Sequence, residues 1–431
     1  MKWEPDKLPA QKVKKPFPAY PVFDMDFTLA LADVAAEFFY RVAKENGYKP
    51  EYFVKKLHEY IPQTDLTIKA MEALGIRSVL ELKKRLVPVD RTLDEKEIER
   101  FVKRGQVPVM RGPTLGYIQR NFLPYPGWAV EMVFREMLPL IKKGKLKLFG
   151  KPITRASLVK FAAENIRLIP GIKKLMQKIS KNKNVGLRDC FIVTASLKPF
   201  AEGISLQLVG AHSGRRKEMV PFKNIYGLDF KTDARGGITG FKNYHRNEKL
   251  SNLEHIEESI LEDLKKRGIP IKRNNPISHM LYIGDGVTDA TAMRHINEGT
   301  YKGEKGNVLG GRGMAIAVHP QKKLLESGVV EFAVVAPDLS YLWNKLMVPF
   351  IENNGEIKSV RKQVGKGEPV HSSLLHRYEV YLGTKGAEPN SRLSLIAPWQ
   401  REYISKKKTQ KIGMWAKRYF AGVKRGFRTR R

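Results

Sequence analysis

Two short apolar runs end directly on pairs of acids, and this pattern most limits what the chain can fold into. Pro21–Asp26 reads as a short buried strand carrying Phe23-Asp24-Met25-Asp26-Phe27-Thr28 at its end. Met280–Ile283 reads as a second strand, running into Gly284-Asp285-Gly286-Val287-Thr288-Asp289. Further apolar strands are expected at Cys190–Thr194, Met314–Val318 and Phe332–Val335, with a hairpin of Ile225–Thr232 and Gly237–Phe241 turned by 233–236. Helices fall between them. Leu31, Val34, Ala35, Phe38, Phe39 and Val42 share one helical face, as do Ile172, Leu175, Met176 and Ile179, and Leu250–Arg267 is helical. Ser196 is placed to cap the helix after Cys190–Thr194. From Gly47 to Arg167 the pattern stays helical, with loops at 62–64, 108–113 and 124–127. Strands alternating with helices predict an α/β fold, a mainly parallel doubly wound sheet covered on both faces. In such sheets the working site lies beyond the carboxyl ends of the strands.

Asp24 and Asp26, two apart on an extended chain, point to the same side. Carboxylates that close repel unless a cation or a shared proton lies between them. Mg²⁺, a hard cation that takes oxygen ligands, solves that problem and leaves room for a phosphate. One carboxylate can then attack phosphorus while the other shuttles a proton. In the second cluster Asp285 sits at the strand end and Asp289 in the first turn of the next helix, where the helix dipole tolerates a carboxylate. Thr194 ends its strand before a helix whose free N–H groups suit an anion. Lys249, at a helix start, is the cation expected to neutralise charge on the transferred oxygens, with Lys242 and Lys231 as alternatives. Singly, these are a solvated acidic loop, a capped turn, a strand threonine and one lysine of many. As an ordered set they are specific.

That order resembles the haloacid dehalogenase-like superfamily, with Asp24 and Asp26 matching its first motif, Thr194 the second, Lys249 the third, and Asp285 with Asp289 the fourth. Pro170-Gly171-Ile172-Lys173-Lys174-Leu175, the hairpin Gly236-Gly237-Ile238-Thr239-Gly240 and Ala315–Pro320 are further similar to its phosphoserine phosphatase-like branch. The resemblance covers about Val22–Leu31 and Ile169–Leu342. It implies a Rossmann-like core from 19–31 and 168–345, a helical cap inserted at 32–167, an N-terminal extension 1–18, a C-terminal extension 346–400 and a tail 401–431. It also implies an Mg²⁺-dependent phosphatase. Asp24 would be phosphorylated, Asp26 would serve as general acid and base, and Asp24, the Asp26 carbonyl and Asp285 would hold Mg²⁺ with Asp289 in support. Two features depart from the family. Position 27 is Phe where a glycine or small polar residue is usual, and the inserted segment is far larger than the small cap of phosphoserine phosphatases, so serine phosphate is not carried over as substrate. The glycine-rich segment 297–312 lacks the Gly-Lys-Ser/Thr of a nucleotide-binding loop.

Composition bounds the remainder. The 431 residues suggest two or three domains, and 42% hydrophobic content rules out wholesale disorder. A single cysteine, Cys190, excludes an internal disulfide and Cys-rich zinc sites. With no signal-like N-terminus and no spanning apolar run, a cytoplasmic protein is expected. The net charge is +34, and residues 401–431 hold twelve Lys/Arg against the single acid Glu402. There Ile412, Trp415, Tyr419, Val423 and Phe427 recur at helical spacing between basic residues, the pattern either of an arm for nucleic acid or anionic lipid or of a C-terminal helix docked on the main domain by Trp415 and Tyr419. The main expectation is a phosphorylated substrate, most simply a small molecule, selected by the inserted segment, with Arg111, Arg120 and Lys198 as candidates. The alternative is a catalytically weak protein of the same fold that binds nucleic acid or an anionic membrane through the tail.

Overall fold

The computed structural model describes residues 17–364, apart from 77, 92, 120–126, 209–219, 243–248, 270–274, 303–307, 319, 321–323, 325–326, 335–338 and 341, together with 394–396. Arg120 and the 401–431 tail therefore lie outside the described residues. Strand β1 (Tyr20–Phe23) leads into α1 (Val34–Glu45), α2 (Tyr52–Ala73), α3 (Val79–Arg85), β2 (Leu86–Val89), α4 (Glu95–Lys103), β3 (Val107–Met110), α5 (Pro113–Gln119), α6 (Trp128–Lys142), the short β4 (Lys147–Leu148) and β5 (Lys151–Pro152), and α7 (Arg155–Asn165). Next come α8 (Ile172–Ser180), β6 (Phe191–Leu197), α9 (Lys198–Leu208), β7 (Ile225–Thr232), β8 (Ile238–Lys242), α10 (Lys249–Lys266), β9 (Met280–Gly284) and α11 (Ala290–Glu298). The short strands β10 (Tyr301–Lys302) and β11 (Val308–Leu309), then β12 (Met314–Val318), β13 (Phe332–Val334) and β14 (Ser394–Ile396), complete the strands.

One eight-stranded sheet runs in the order β14-β13-β12-β9-β1-β6-β7-β8. Every pairing in it is parallel except the β7–β8 hairpin. The expected α/β class and doubly wound sheet are thus observed. Strand β1 has β9 on one side and β6 on the other, so the crevice where the winding direction reverses opens at its carboxyl end. Central strands β1, β9 and β12 are buried at every position, as a sheet covered on both faces requires.

Aromatic packing ties α1, α6 and α7 to the sheet. Phe38 of α1 stacks on Phe134 of α6 with ring centroids 5.3 Å apart, and meets Phe161 of α7 and Phe200 of α9. Phe134 in turn touches Phe39 and, on β7, Phe230. Each such ring contributes roughly 1.5–3 kcal/mol by leaving water. A second, smaller core lies in the inserted segment, formed by Ala70, Met71, Ile76, Leu82, Val107, Val109 and Ile118. The 32–167 segment therefore has two packing environments: α1, α6 and α7 share the core of the sheet, while 70–118 builds its own.

Four local expectations are corrected. The segment is not purely helical: β2 and β3 pair in parallel, and β4 with β5 antiparallel. Pro108 lies in β3 rather than a loop, which a two-stranded pair allows because each strand is an edge. Pro62 lies inside the 22-residue α2 instead of breaking it. A proline there costs about 3 kcal/mol, which burial of Leu57, Tyr60, Leu66 and Ala70 on the same helix offsets. Ser196 does not cap a helix either, because β6 continues through it to Leu197 and α9 begins only at Lys198.

Candidate active site

Register places the motif residues side by side. Phe23 pairs with Ile283 of β9 and with Ile192 of β6, so Asp24 and Asp285 emerge together at neighbouring carboxyl ends, with Thr194 two residues past Ile192; Thr194 does not end its strand as expected, since β6 runs on to Leu197. Adjacent strands lie roughly 4.8 Å apart, which brings their terminal side chains within reach of one another. The Asp24 N–H donates to the Ile283 carbonyl at 2.8 Å and fixes the end of β1 against β9.

Lys249 joins them from the first residue of α10. Its Nζ lies 2.8 Å from Asp24 Oδ1 and 2.5 Å from Asp289 Oδ1, and it donates to Thr288 Oγ1 at 3.2 Å. The alternatives fall elsewhere: Lys242 pairs with Asp229 at 3.3 Å and Lys231 is exposed on β7. Asp24, Asp285 and Asp289 are all buried, with one oxygen of each within 4.8 Å of the others. The Asp26 carboxylate is not part of that group; its Oδ1 accepts the Val34 N–H at 2.9 Å, at the start of α1.

Asp289 has little capacity left. Its Oδ1 accepts from Lys249 and from the Tyr282 hydroxyl at 2.7 Å, and its Oδ2 accepts from the N–H groups of Asp285 at 3.1 Å and Gly286 at 2.9 Å. It braces the loop and the lysine. Tyr282 is the participant that sequence reasoning missed: a polar ring tip inside an otherwise apolar strand is its only signal.

Desolvation dominates the electrostatics. Burial and the Asp289 charge push Asp24 up to about 7, against the pull of Lys249. Asp285 is raised well above the carboxylate range by burial, then by Asp24 and Asp289. Asp26 is raised likewise by burial, then by Asp33 and Asp24. Lys249 is held charged, since its two carboxylate partners outweigh its own burial. Three buried carboxylates face one lysine, and every available donor is a hard oxygen, which suits a divalent cation of the Mg²⁺ kind.

The turn after β1 accounts for part of the departure at position 27. Phe27 has φ of +53°, in the left-handed region that glycine enters freely and a bulky residue rarely does. Strain of this kind gathers at functional sites. Of the candidate selectivity residues, Arg111 is exposed and paired with Asp90 at 2.8 Å. Lys198 opens α9 and lines a groove of about 390 Å³ with Asn252 and His255.

The acids closing β1 and β9, the threonine of β6 and the lysine opening α10 meet in the order the resemblance requires. The fold is an α/β one built on a mainly parallel, doubly wound sheet. No protein-family model matches the chain, and no curated protein matches it. Among solved structures it is similar to a phosphoserine phosphohydrolase-like protein from Francisella tularensis, with 15% identity and a TM-score of 0.37 over 76% of this chain and 100% of that one. A substrate-bound phosphoserine phosphatase gives 14% identity and a TM-score of 0.33 over 77% and 99%. A HAD family hydrolase from Salmonella enterica serovar Typhi gives 13% and 0.29 over 72% and 66%. Likeness of this size says nothing of activity or substrate. No helix among the described residues is long and apolar enough to cross a membrane.

Proposed function

We propose that the protein is an Mg²⁺-dependent phosphomonoesterase working through a covalent aspartyl-phosphate on Asp24. The observation that carries this reading is the buried cluster of Asp24, Asp285 and Asp289 around Lys249 at the crevice of the sheet. An Asp24 oxygen bonds to phosphorus as the ester P–O bond breaks, and Asp26 gives its proton to the departing oxygen. Water then attacks the phosphorus of the aspartyl-phosphate, its proton passes to Asp26, and Asp24 leaves with inorganic phosphate released. The raised position of Asp26 suits an acid that must still hold a proton when substrate arrives. Lys249 and Thr194 would grip the transferred oxygens, with Asp289 and Tyr282 keeping the lysine and loop in place. Asp24, the Asp26 carbonyl and Asp285 would hold Mg²⁺, which when bound offsets charge on the phosphoryl oxygens.

The substrate class that follows is a phosphorylated small molecule, and a cytoplasmic setting fits the single cysteine, the buried Cys190. Contact of the 401–431 tail with nucleic acid or lipid rests on its sequence alone. The test is phosphate release from an aryl phosphate with Mg²⁺ and with chelator. Wild-type protein should turn over only with Mg²⁺, and Asp24→Asn should abolish release. Undiminished release by that variant would remove Asp24 as nucleophile.

A further inference from the structure

The end of β6 from Thr194 into Lys198, where the register with β7 shifts between Val193 and Leu197, is gripped by two glycines that no motif includes. Gly127, immediately before α6, has φ of +86°. A Cβ there would lie 2.8 Å from the Ala195 carbonyl carbon and closer still to its oxygen. Gly227, on β7, presses from another strand: a Cβ there would meet Thr194 Cγ2 at 2.7 Å, the Ser196 carbonyl at 3.1 Å and the Lys198 nitrogen at 3.2 Å. Real Cβ atoms do not come as close to backbone as one at position 127 would, nor as close to a methyl as one at 227 would to Thr194 Cγ2, and the two backbone contacts at 227 are tight, so a side chain at either position forces something to shift.

What shifts at position 127 is decided by the packing of α6. Its Phe134 is stacked on Phe38 and wedged against Phe39 and Phe230, all buried at the core of the sheet. The helix cannot retreat without breaking that cluster. Beyond Thr194 the β6–β7 register shifts until Leu197 meets Leu228, and between these points the strand is held by a bond from the Ser196 N–H to Thr194 Oγ1 at 3.0 Å, so this irregular stretch is the weaker partner.

We propose that Gly127 is a positioning residue for phosphoryl transfer: by seating α6 directly on Ala195, it sets the placement of the irregular Thr194–Ser196 stretch of β6. The inserted segment thereby contributes to catalysis through backbone contact at one point, apart from any part it takes in choosing substrate. This rests on the phosphatase reading above and extends it to the segment between β1 and β6. Misplacing a reacting group by an ångström can cost on the order of 100-fold in rate.

Gly144 supplies a matched control at the other end of α6, with φ of +65° and nothing within 4 Å of a Cβ. Gly127→Ala and Gly144→Ala both acquire a strained backbone. Only Gly127→Ala is expected to lose turnover, about 100-fold in kcat and in kcat/KM alike, the mark of an interaction made in the transition state. Amide hydrogen exchange across 194–198 should quicken in Gly127→Ala and stay unchanged in Gly144→Ala, a readout that needs no substrate. Should Gly127→Ala fail to fold, Gly227→Ala serves in its place. Its loss should be smaller in a Thr194→Ser background, which removes the clashing methyl and keeps the hydroxyl. Wild-type exchange at 194–198 in Gly127→Ala, or equal losses for Gly227→Ala in both backgrounds, would overturn the inference. A wild-type protein without turnover would instead sink the phosphatase reading, and exchange would still decide whether Gly127 seats this stretch of β6.

Discussion

Replacing Lys249 with methionine removes the positive charge while keeping much of the side chain's bulk. Lys249 is 4% exposed and touches Asp24 Oδ1 at 2.8 Å and Asp289 Oδ1 at 2.5 Å, so two buried carboxylates lose their cation together. Breaking a buried pair from one side costs about 3–5 kcal/mol, chiefly because the surviving charge stays dry and uncompensated. Lys249→Met should therefore be about 3–5 kcal/mol less stable than wild type in urea unfolding at pH 7 with chelator present. Mg²⁺ held by Asp24 and Asp285, as proposed, would supply positive charge to the same cluster. Mg²⁺ at one hundred times its dissociation constant stabilises a folded protein by about 2.7 kcal/mol, and should stabilise both proteins. Turnover should fall by on the order of 100- to 1000-fold even with Mg²⁺, because Lys249 is the side-chain cation proposed to grip the transferred oxygens. A variant within about 1 kcal/mol of wild type, unaffected by Mg²⁺, would refute the premise that these acids form one dry cluster.

Two further outcomes are expected. His279 is fully buried, stacked on Phe17 at 4.4 Å and hydrogen-bonded through Nδ1 to the Pro18 carbonyl, and burial depresses it from 6.5 to about 4. Its neutral form is favoured in the folded state, so its stabilisation is complete above pH 6.5 and is lost as pH falls through 4, by about 3 kcal/mol. Urea unfolding should show wild type losing that much more than His279→Gln between pH 7 and pH 4; parallel losses would place the acid sensitivity elsewhere. Gly284→Ala puts a Cβ 2.5 Å from Asp289 Cγ. It should cost about 1–3 kcal/mol and lower turnover by pushing Asp289 away from Lys249, whereas unchanged kinetics would show that the carboxylate has room to move.

The sheet was legible in the sequence because its central strands are short apolar runs closed by chemically unusual residues. Met314–Val318 and the hairpin from Ile225 match the expectation closely, and Asp24, Asp285, Asp289 and Lys249 meet as the motif order requires. In the sequence Lys249 is one of 78 basic residues, and only its placement at the mouth of the sheet separates it from Lys242 and Lys231. What sequence reasoning missed depends on contacts between distant segments. Proline at 62 signals a break locally, and only the buried face of α2 overrides it. The β2–β3 pair is stabilised by a satellite core, so neither four-residue strand declares itself alone. Gly127 and Tyr282 carry no periodic or motif signal; their significance arises from what lies beside them, Ala195 in one case and Asp289 in the other.

The reading stands or falls on a phosphoryl group attached to Asp24. Wild-type protein mixed with substrate and Mg²⁺, quenched in acid and digested, should yield one peptide spanning Asp24 that is heavier by a phosphoryl group and loses it on mild alkali treatment, while Asp24→Asn yields none. Phosphate release without any such peptide at the shortest quench times, or the same modification persisting in Asp24→Asn, would contradict a mechanism through that carboxylate.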